Sequence, residues 1–325
     1  MEKSAFLFPG QGAQAVGMGR AVHDAVPEAQ ALFARASEIT GLDLAKLCFE
    51  GPEEQLNRSD VCKPAILVAS LAVLEAVRKR KDPAALGVAA AAGLSLGEYT
   101  ALTFAGALPF EDAVRLVRAR GRYMQEACER SPGGMASILG LDAETVKRAC
   151  QDVSASRPTL SEPAFGGRVE WVVGIANLNS PGQIVISGAM PALELASAKC
   201  KEMGAKRVIP LKVAGAYHSP LMAPAEEKLR ADLANVPFRP PSLPVVSNVS
   251  ADYVRDPESV RKALAVQVVR AVRWEESMRR MIADGIRAFY EIGPGTVLAG
   301  LARKIDPSVK VASIQEPKDL DLIQD

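Results

Sequence analysis

Histidine is the scarcest chemistry-bearing residue here: only His23 and His218 occur among 325 residues. That excludes histidine-rich metal sites and leaves few side chains able to act as a base near neutral pH. No metal site is expected, and His23, between Val22 and Asp24 in an ordinary surface-helix pattern, reads as structural. Charge of one sign is missing too. The 39 basic and 38 acidic residues are mixed along the chain and leave a formal net charge of +1, so nucleic acid has no electrostatic footprint to meet. The one basic run, Arg78 to Lys81, ends an apolar helical pattern, where cations suit the helix dipole. Five cysteines, at 48, 62, 128, 150 and 200, are odd in number and form no C-x-x-C pair, as expected of reduced thiols in a cytosolic protein. No apolar run is long enough to span a bilayer, and the first strand is preceded by no basic leader. A soluble, cytoplasmic protein is expected. Internal repeats and low-complexity tracts are also absent.

What is present centres on Ser95. The small-residue run Ala89 to Ala92 leads into Gly93-Leu94-Ser95-Leu96-Gly97 and then a helical pattern, so Gly-x-Ser-x-Gly stands on a strand-to-helix turn. A serine hydroxyl is a weak nucleophile and needs such exposure, with a base beside it and N–H donors facing the attacked carbonyl. Gly93 and Gly97 allow strand and helix to approach closely. His218, just before Ser219 (an N-cap) and Pro220 (a first helical residue), follows Ser95 in chain order and is the candidate base. In the predicted helix Phe110 to Glu129, steps of 100° place Arg120 on the apolar stripe of Ala113, Leu116, Val117, Met124 and Ala127, while Arg115, Arg118 and Arg122 point away. An inward guanidinium requires an anion, either an internal carboxylate or a ligand, unless it snorkels outward. Gly121 beside it hints at close approach by another group.

Length allows one large domain or two smaller ones. The pattern predicts a strand at Ala5 to Phe8, a helix at Pro64 to Arg80 and a strand at Leu86 to Ala92. Gly10, Gly12 and Ala15 fit a dinucleotide fingerprint, but Pro9 interrupts the junction and no later strand ends in the required acid, so a tight loop presenting N–H groups is preferred. Residues 131–210 read β-α-β-β-α-β, with strands at Met135 to Leu139, Val172 to Ala176, Ile184 to Ser187 and Arg207 to Leu211, helices at Ala143 to Cys150 and Ala192 to Met203, and a surface loop at Ser154 to Arg168. Beyond them come a strand at Val245 to Asn248, a helix from Ser259 to Ala283 and a strand at Ala288 to Ile292. The fold class expected is α/β: a hydrolase-like doubly wound core of residues 1–130 and 211–325 with an inserted ferredoxin-like subdomain, and a cleft above Ser95 at their junction.

Six ordered stretches, Phe8 to Gly12, Gly93 to Leu102, Arg120-Gly121 with Met124 to Ala127, Asn179 to Gln183, Tyr217 to Ser219 and Glu291 to Gly295, together resemble the malonyl-CoA:acyl-carrier-protein transacylase family over nearly the full length. The resemblance implies ping-pong transfer of malonyl from malonyl-CoA to the phosphopantetheine thiol of acyl carrier protein, supplying the extender unit for fatty acid synthesis, with no permanently bound cofactor and a monomeric chain. It implies Ser95 as nucleophile, His218 as general base and acid, Arg120 as clamp on the malonyl carboxylate, and backbone N–H groups of Gln11 and Leu96 as oxyanion hole. It further implies that the Gln267 carbonyl orients the histidine and that Tyr217, a bulky aromatic before it, favours unsubstituted malonyl. Departures are Leu94 where many members carry histidine, Lys63 where glutamine is common, and Ala271 in place of a usual proline. The alternatives are a serine hydrolase or thioesterase on a similar core, a trans-acting polyketide acyltransferase, and a non-catalytic binding module.

Overall fold

The computed structural model describes residues 2–156 and 171–323. Ten strands run through it in chain order: β1 (Ser4–Phe8), β2 (Val88–Gly93), β3 (Gly133–Leu139), β4 (Val173–Ser180), β5 (Gln183–Ala189), β6 (Arg207–Pro210), β7 (Val245–Val246), β8 (Tyr253–Val254), β9 (Ala288–Ile292) and β10 (Lys310–Ile314). Six form one sheet in the order β10-β9-β1-β2-β7-β8, parallel except for the β7–β8 edge. The other four form a separate antiparallel sheet ordered β4-β5-β3-β6.

Alternation along β1 explains why helices cover both faces of the larger sheet. Phe6 and Phe8 face one core with Ala91, whereas Ala5 and Leu7 face a second with Ala90, Ala92, Phe289 and Trp274. Against the first face lies the helix Ser59–Arg80, buried on nearly every side as far as Val77. The basic residues at its end form surface pairs, Arg78 with Glu75, Lys79 with Glu28 and Arg80 with Asp321. All five cysteines are buried and free.

Several expected boundaries are corrected. The helix expected from Pro64 begins at Ser59 and carries Pro64 within it; proline's preference for a first turn misplaced the start. The single helix expected over Ser259 to Ala283 is two, Pro257–Gln267 and Trp274–Ala283. Between them the backbone pairs outward instead: Val272 N–H donates to the Ala176 carbonyl, Leu178 N–H to the Val272 carbonyl and Arg273 N–H to the Asn248 carbonyl. These contacts replace helical ones and could not be read from periodicity. The strand expected at Val245 to Asn248 keeps only its first two residues, and β8 and β10 were not anticipated. Of the loop expected over Ser154 to Arg168, Ser154 and Ala155 close the helix Ala143–Ala155, while residues 157–170 lie outside the described residues.

Candidate active site

β2 ends at Gly93, and the chain turns directly into the helix Gly97–Phe104. A Cβ on Gly93 would fall 1.9 Å from the Gly97 carbonyl carbon, and one on Gly97 would fall 2.0 Å from the Phe8 carbonyl oxygen. Only glycine permits that crossing. Ser95 at its apex has φ 54°, in the left-handed region that costs a side-chain-bearing residue energy. Its backbone is held from both sides: the N–H donates to Asn248 Oδ1 at 2.6 Å, and the carbonyl accepts from Gln267 Nε2 at 3.0 Å.

His218 reaches this hydroxyl from the connection after β6, with Nε2 2.8 Å from Ser95 Oγ. It too has positive φ, 57°. Nδ1 faces two carbonyls, Gln267 at 2.9 Å and Arg270 at 3.2 Å, so Nδ1 carries the proton and Nε2 presents a lone pair. The interhelical break at 268–273 supplies one of these acceptors and the last helical residue the other. Arg120, 1% exposed, donates from Nη2 to Ser95 Oγ at 2.9 Å and to Gln267 Oε1 at 3.1 Å. Ser95 Oγ therefore accepts from arginine and donates to histidine. Among the described residues no carboxylate pairs with the Arg120 guanidinium, and its Nε has no partner. Gly121 lets it in: a Cβ there would fall 2.2 Å from the Ser59 carbonyl oxygen.

A carboxyl buried beneath the turn organises these groups. Glu98 Oε2 accepts from Gln267 Nε2 at 2.6 Å and from Asn248 N–H at 3.1 Å, and Asn248 Nδ2 donates to the Gly93 carbonyl at 2.8 Å. Burial pushes Glu98 up to about 7. Neither Gln11 N–H nor Leu96 N–H donates to a protein carbonyl among the described residues, so both are free to serve a ligand. Beside His218 a cleft of about 560 Å³ opens, lined by Val173, Gly174 and Ile175 of β4 and by Arg270 and Arg273. Through His218 it adjoins Ser95, which follows the carboxyl end of the parallel strand β2, the side on which ligands gather in open α/β sheets.

An acyl transferase domain model matches residues 5–315. The malonyl CoA-acyl carrier protein transacylase of Bacillus subtilis is 44% identical over 322 residues, spanning 99% of this chain and 96% of its own. The chain belongs to the malonyl CoA-acyl carrier protein transacylase family. The Escherichia coli K12 protein of the same name is 41% identical over 319 residues, with 98% and 97% of the two chains aligned. Among solved structures, a malonyl-transacylase in complex with its holo type II PKS acyl-carrier protein has a TM-score of 0.90 at 38% identity, covering 99% of both chains. The Vibrio cholerae acyl carrier protein S-malonyltransferase likewise gives 0.90 at 39%, over 99% and 100%.

Within this transacylase fold, the structure brings Ser95, His218, Arg120 and Gln267 together and places Tyr217, 5% exposed, beside them with its hydroxyl 2.8 Å from Ser59 Oγ. His23 sits apart, its ring against Phe33 and Phe49. Sequence reasoning missed the Gln267 carboxamide, Asn248 and Glu98. Glu98 directly follows the serine motif, in the first turn of the helix Gly97–Phe104, where an acid is common, and Asn248 lies in the stretch expected as strand.

Burial, and next the Arg120 charge, pushes His218 down to about 4. A depressed value means the ring stays neutral, and able to accept a proton, as pH falls through the ordinary histidine range near 6.5. The acid limb of the acylation rate is therefore expected between about pH 4 and 5, not near 6.5. A rapid-quench pH profile checks this, and a limb centred at 6.5 would show that the ring is not buried as described. The stability this neutral ring confers has the same sense: whole above about 6.5 and lost as pH falls toward the folded value.

Proposed function

We propose that this chain moves a malonyl group from malonyl-CoA to the phosphopantetheine thiol of acyl carrier protein through a malonyl-Ser95 ester, providing the extender unit for fatty acid synthesis. The observation that carries this reading is a buried guanidinium that pairs with no carboxylate among the described residues, 2.9 Å from a serine hydroxyl that is itself 2.8 Å from a neutral imidazole nitrogen. Such a cation awaits an anion borne on the acyl group. The names of the relatives, and the neighbour solved with its acyl-carrier protein, support the same donor and acceptor.

In the first half-reaction, His218 Nε2 takes the Ser95 proton as Oγ attacks the thioester carbonyl. Gln11 and Leu96 N–H groups receive the oxyanion. Collapse expels the CoA sulfur, which takes the proton from the imidazolium and leaves the ester. In the second, the carrier thiol gives its proton to His218, its sulfur attacks the ester carbonyl, and Ser95 oxygen departs with that proton. Carbonyls of Gln267 and Arg270 stand where a triad would place a carboxylate, fixing the tautomer and easing the transient cation. The Tyr217 ring crowds the acyl C2 position and favours malonyl over branched analogues. Residues 1–130 and 211–325 act as the catalytic body and 131–210 as a smaller subdomain walling the cleft. The enzyme works as a cytoplasmic monomer without a resident cofactor. Among the described residues no helix is long and apolar enough to cross a membrane.

The test is intact mass after brief exposure to malonyl-CoA, then addition of holo carrier. One malonyl group should appear on the chain, map to Ser95 and leave onto the carrier thiol. An adduct released to water at the same rate with and without carrier would replace transfer by hydrolysis.

A further inference from the structure

Lys63 has no part in the chemistry above, yet it is completely buried. No carboxylate pairs with it among the described residues. Nζ donates to Gln11 Oε1 at 2.9 Å and to the Ser59 carbonyl at 3.4 Å, and it stands 5.4 Å from the centre of the Tyr217 ring. Tyr217 Oη in turn lies 2.8 Å from Ser59 Oγ. These contacts make Lys63 the junction of three separate segments: the start of the helix Ser59–Arg80, the loop after β1 and the connection after β6. Gln11 sits in a half-buried turn, so the aim of its free N–H depends on what holds its side chain.

We propose that Lys63 is a positioning residue for acylation, fixing the Gln11 backbone donor and the Tyr217 wall relative to one another around the acyl group. The inference rests on the malonyl-transfer reading. A buried cation without an anion is costly, and a methionine or leucine would fill the same space without that cost. What the ammonium adds is a charge-assisted hydrogen bond to Gln11 and attraction to the face of Tyr217. Its surroundings isolate its titration. Burial pushes Lys63 down to about 8. Facing it are the Arg120 cation, the Cys62 thiol pushed up, Cys128 pushed up to about 11, Tyr217 up to about 12 and, on its own helix, the Asp60 carboxylate. His218, near 4, and Glu98, near 7, change charge lower on the scale.

The rate of malonyl-Ser95 formation from malonyl-CoA, a step without a carrier thiol, is measured for wild type, Lys63→Gln and Lys63→Met from about pH 6 to 9.5, with methylmalonyl-CoA run in parallel. Wild type should lose rate through an alkaline limb near 8. Lys63→Gln, still able to bond Gln11, should stay within about threefold at neutral pH and lack that limb. Lys63→Met should acylate about 10- to 100-fold more slowly with KM for malonyl-CoA little changed, and should discriminate less against methylmalonyl-CoA. An unchanged rate and selectivity in Lys63→Met would overturn the proposal, as would an alkaline limb that persists in Lys63→Gln; if Lys63→Met does not fold, Lys63→Gln alone decides. A wild-type chain that forms no adduct would instead overturn the malonyl reading, and this one with it.

Discussion

Replacing Ser95 with alanine is expected to abolish the malonyl adduct and to lower transfer to carrier protein by at least about 10⁴-fold, the scale on which nucleophile deletions in comparable sites act. The loss would be chemical and not structural. What holds the turn is backbone: Ser95 N–H to Asn248 and the Ser95 carbonyl to Gln267, neither of which needs the hydroxyl. Alanine bears the same left-handed φ as serine, so the variant adds no new strain. Thermal midpoint and malonyl-CoA binding should both stay close to wild type while intact mass stays flat. An adduct persisting on Ser95→Ala would place the nucleophile elsewhere.

Arg120→Ala should invert selectivity. Leaving a malonyl carboxylate without its partner in a desolvated pocket costs about 2 to 5 kcal/mol, so kcat/KM for malonyl-CoA should fall about 30- to 5,000-fold. Acetyl-CoA, which leaves the guanidinium uncompensated in wild type, should gain relative to malonyl-CoA by a similar ratio. A second consequence has its own readout. The Arg120 charge is, after burial, the next cause of His218's low value, so a bound carboxylate that neutralises it makes the imidazole a better base. Acetyl lacks that effect. Removing the arginine should accordingly move the acid limb of the acylation rate to higher pH. Arg120→Lys should restore little, because a single ammonium cannot reproduce the planar fork. If the malonyl to acetyl ratio is unchanged in Arg120→Ala, the guanidinium does not grip the substrate.

Ser95, His218 and Arg120 were legible in the sequence because each announces itself locally. The glycine pair marks the turn at Ser95, scarcity singles out His218, and helical periodicity turns one arginine of four inward. Gly121 signalled a close approach in the same way, and the group that approaches is the Ser59 carbonyl. Alternating strand and helix patterns gave the two-sheet outline for the same reason. The missing parts depend on contacts distant in sequence. Glu98, Asn248 and the Gln267 carboxamide meet across separations of 150 residues or more, and nothing beside any of them signals the meeting. Periodicity likewise carried one helix through 268–273, since the residues there are apolar enough to continue it; strand-like pairing with β4 decides otherwise.

That interruption has a mechanical side. Val272 is stitched into β4 by two hydrogen bonds, and two residues earlier the Arg270 carbonyl steadies the imidazole. The smaller sheet and the tilt of the His218 ring are thus geared together by a segment only six residues long. On the proposed mechanism, a pantetheine arm that pushed β4 aside would also turn the imidazole proposed to receive its proton.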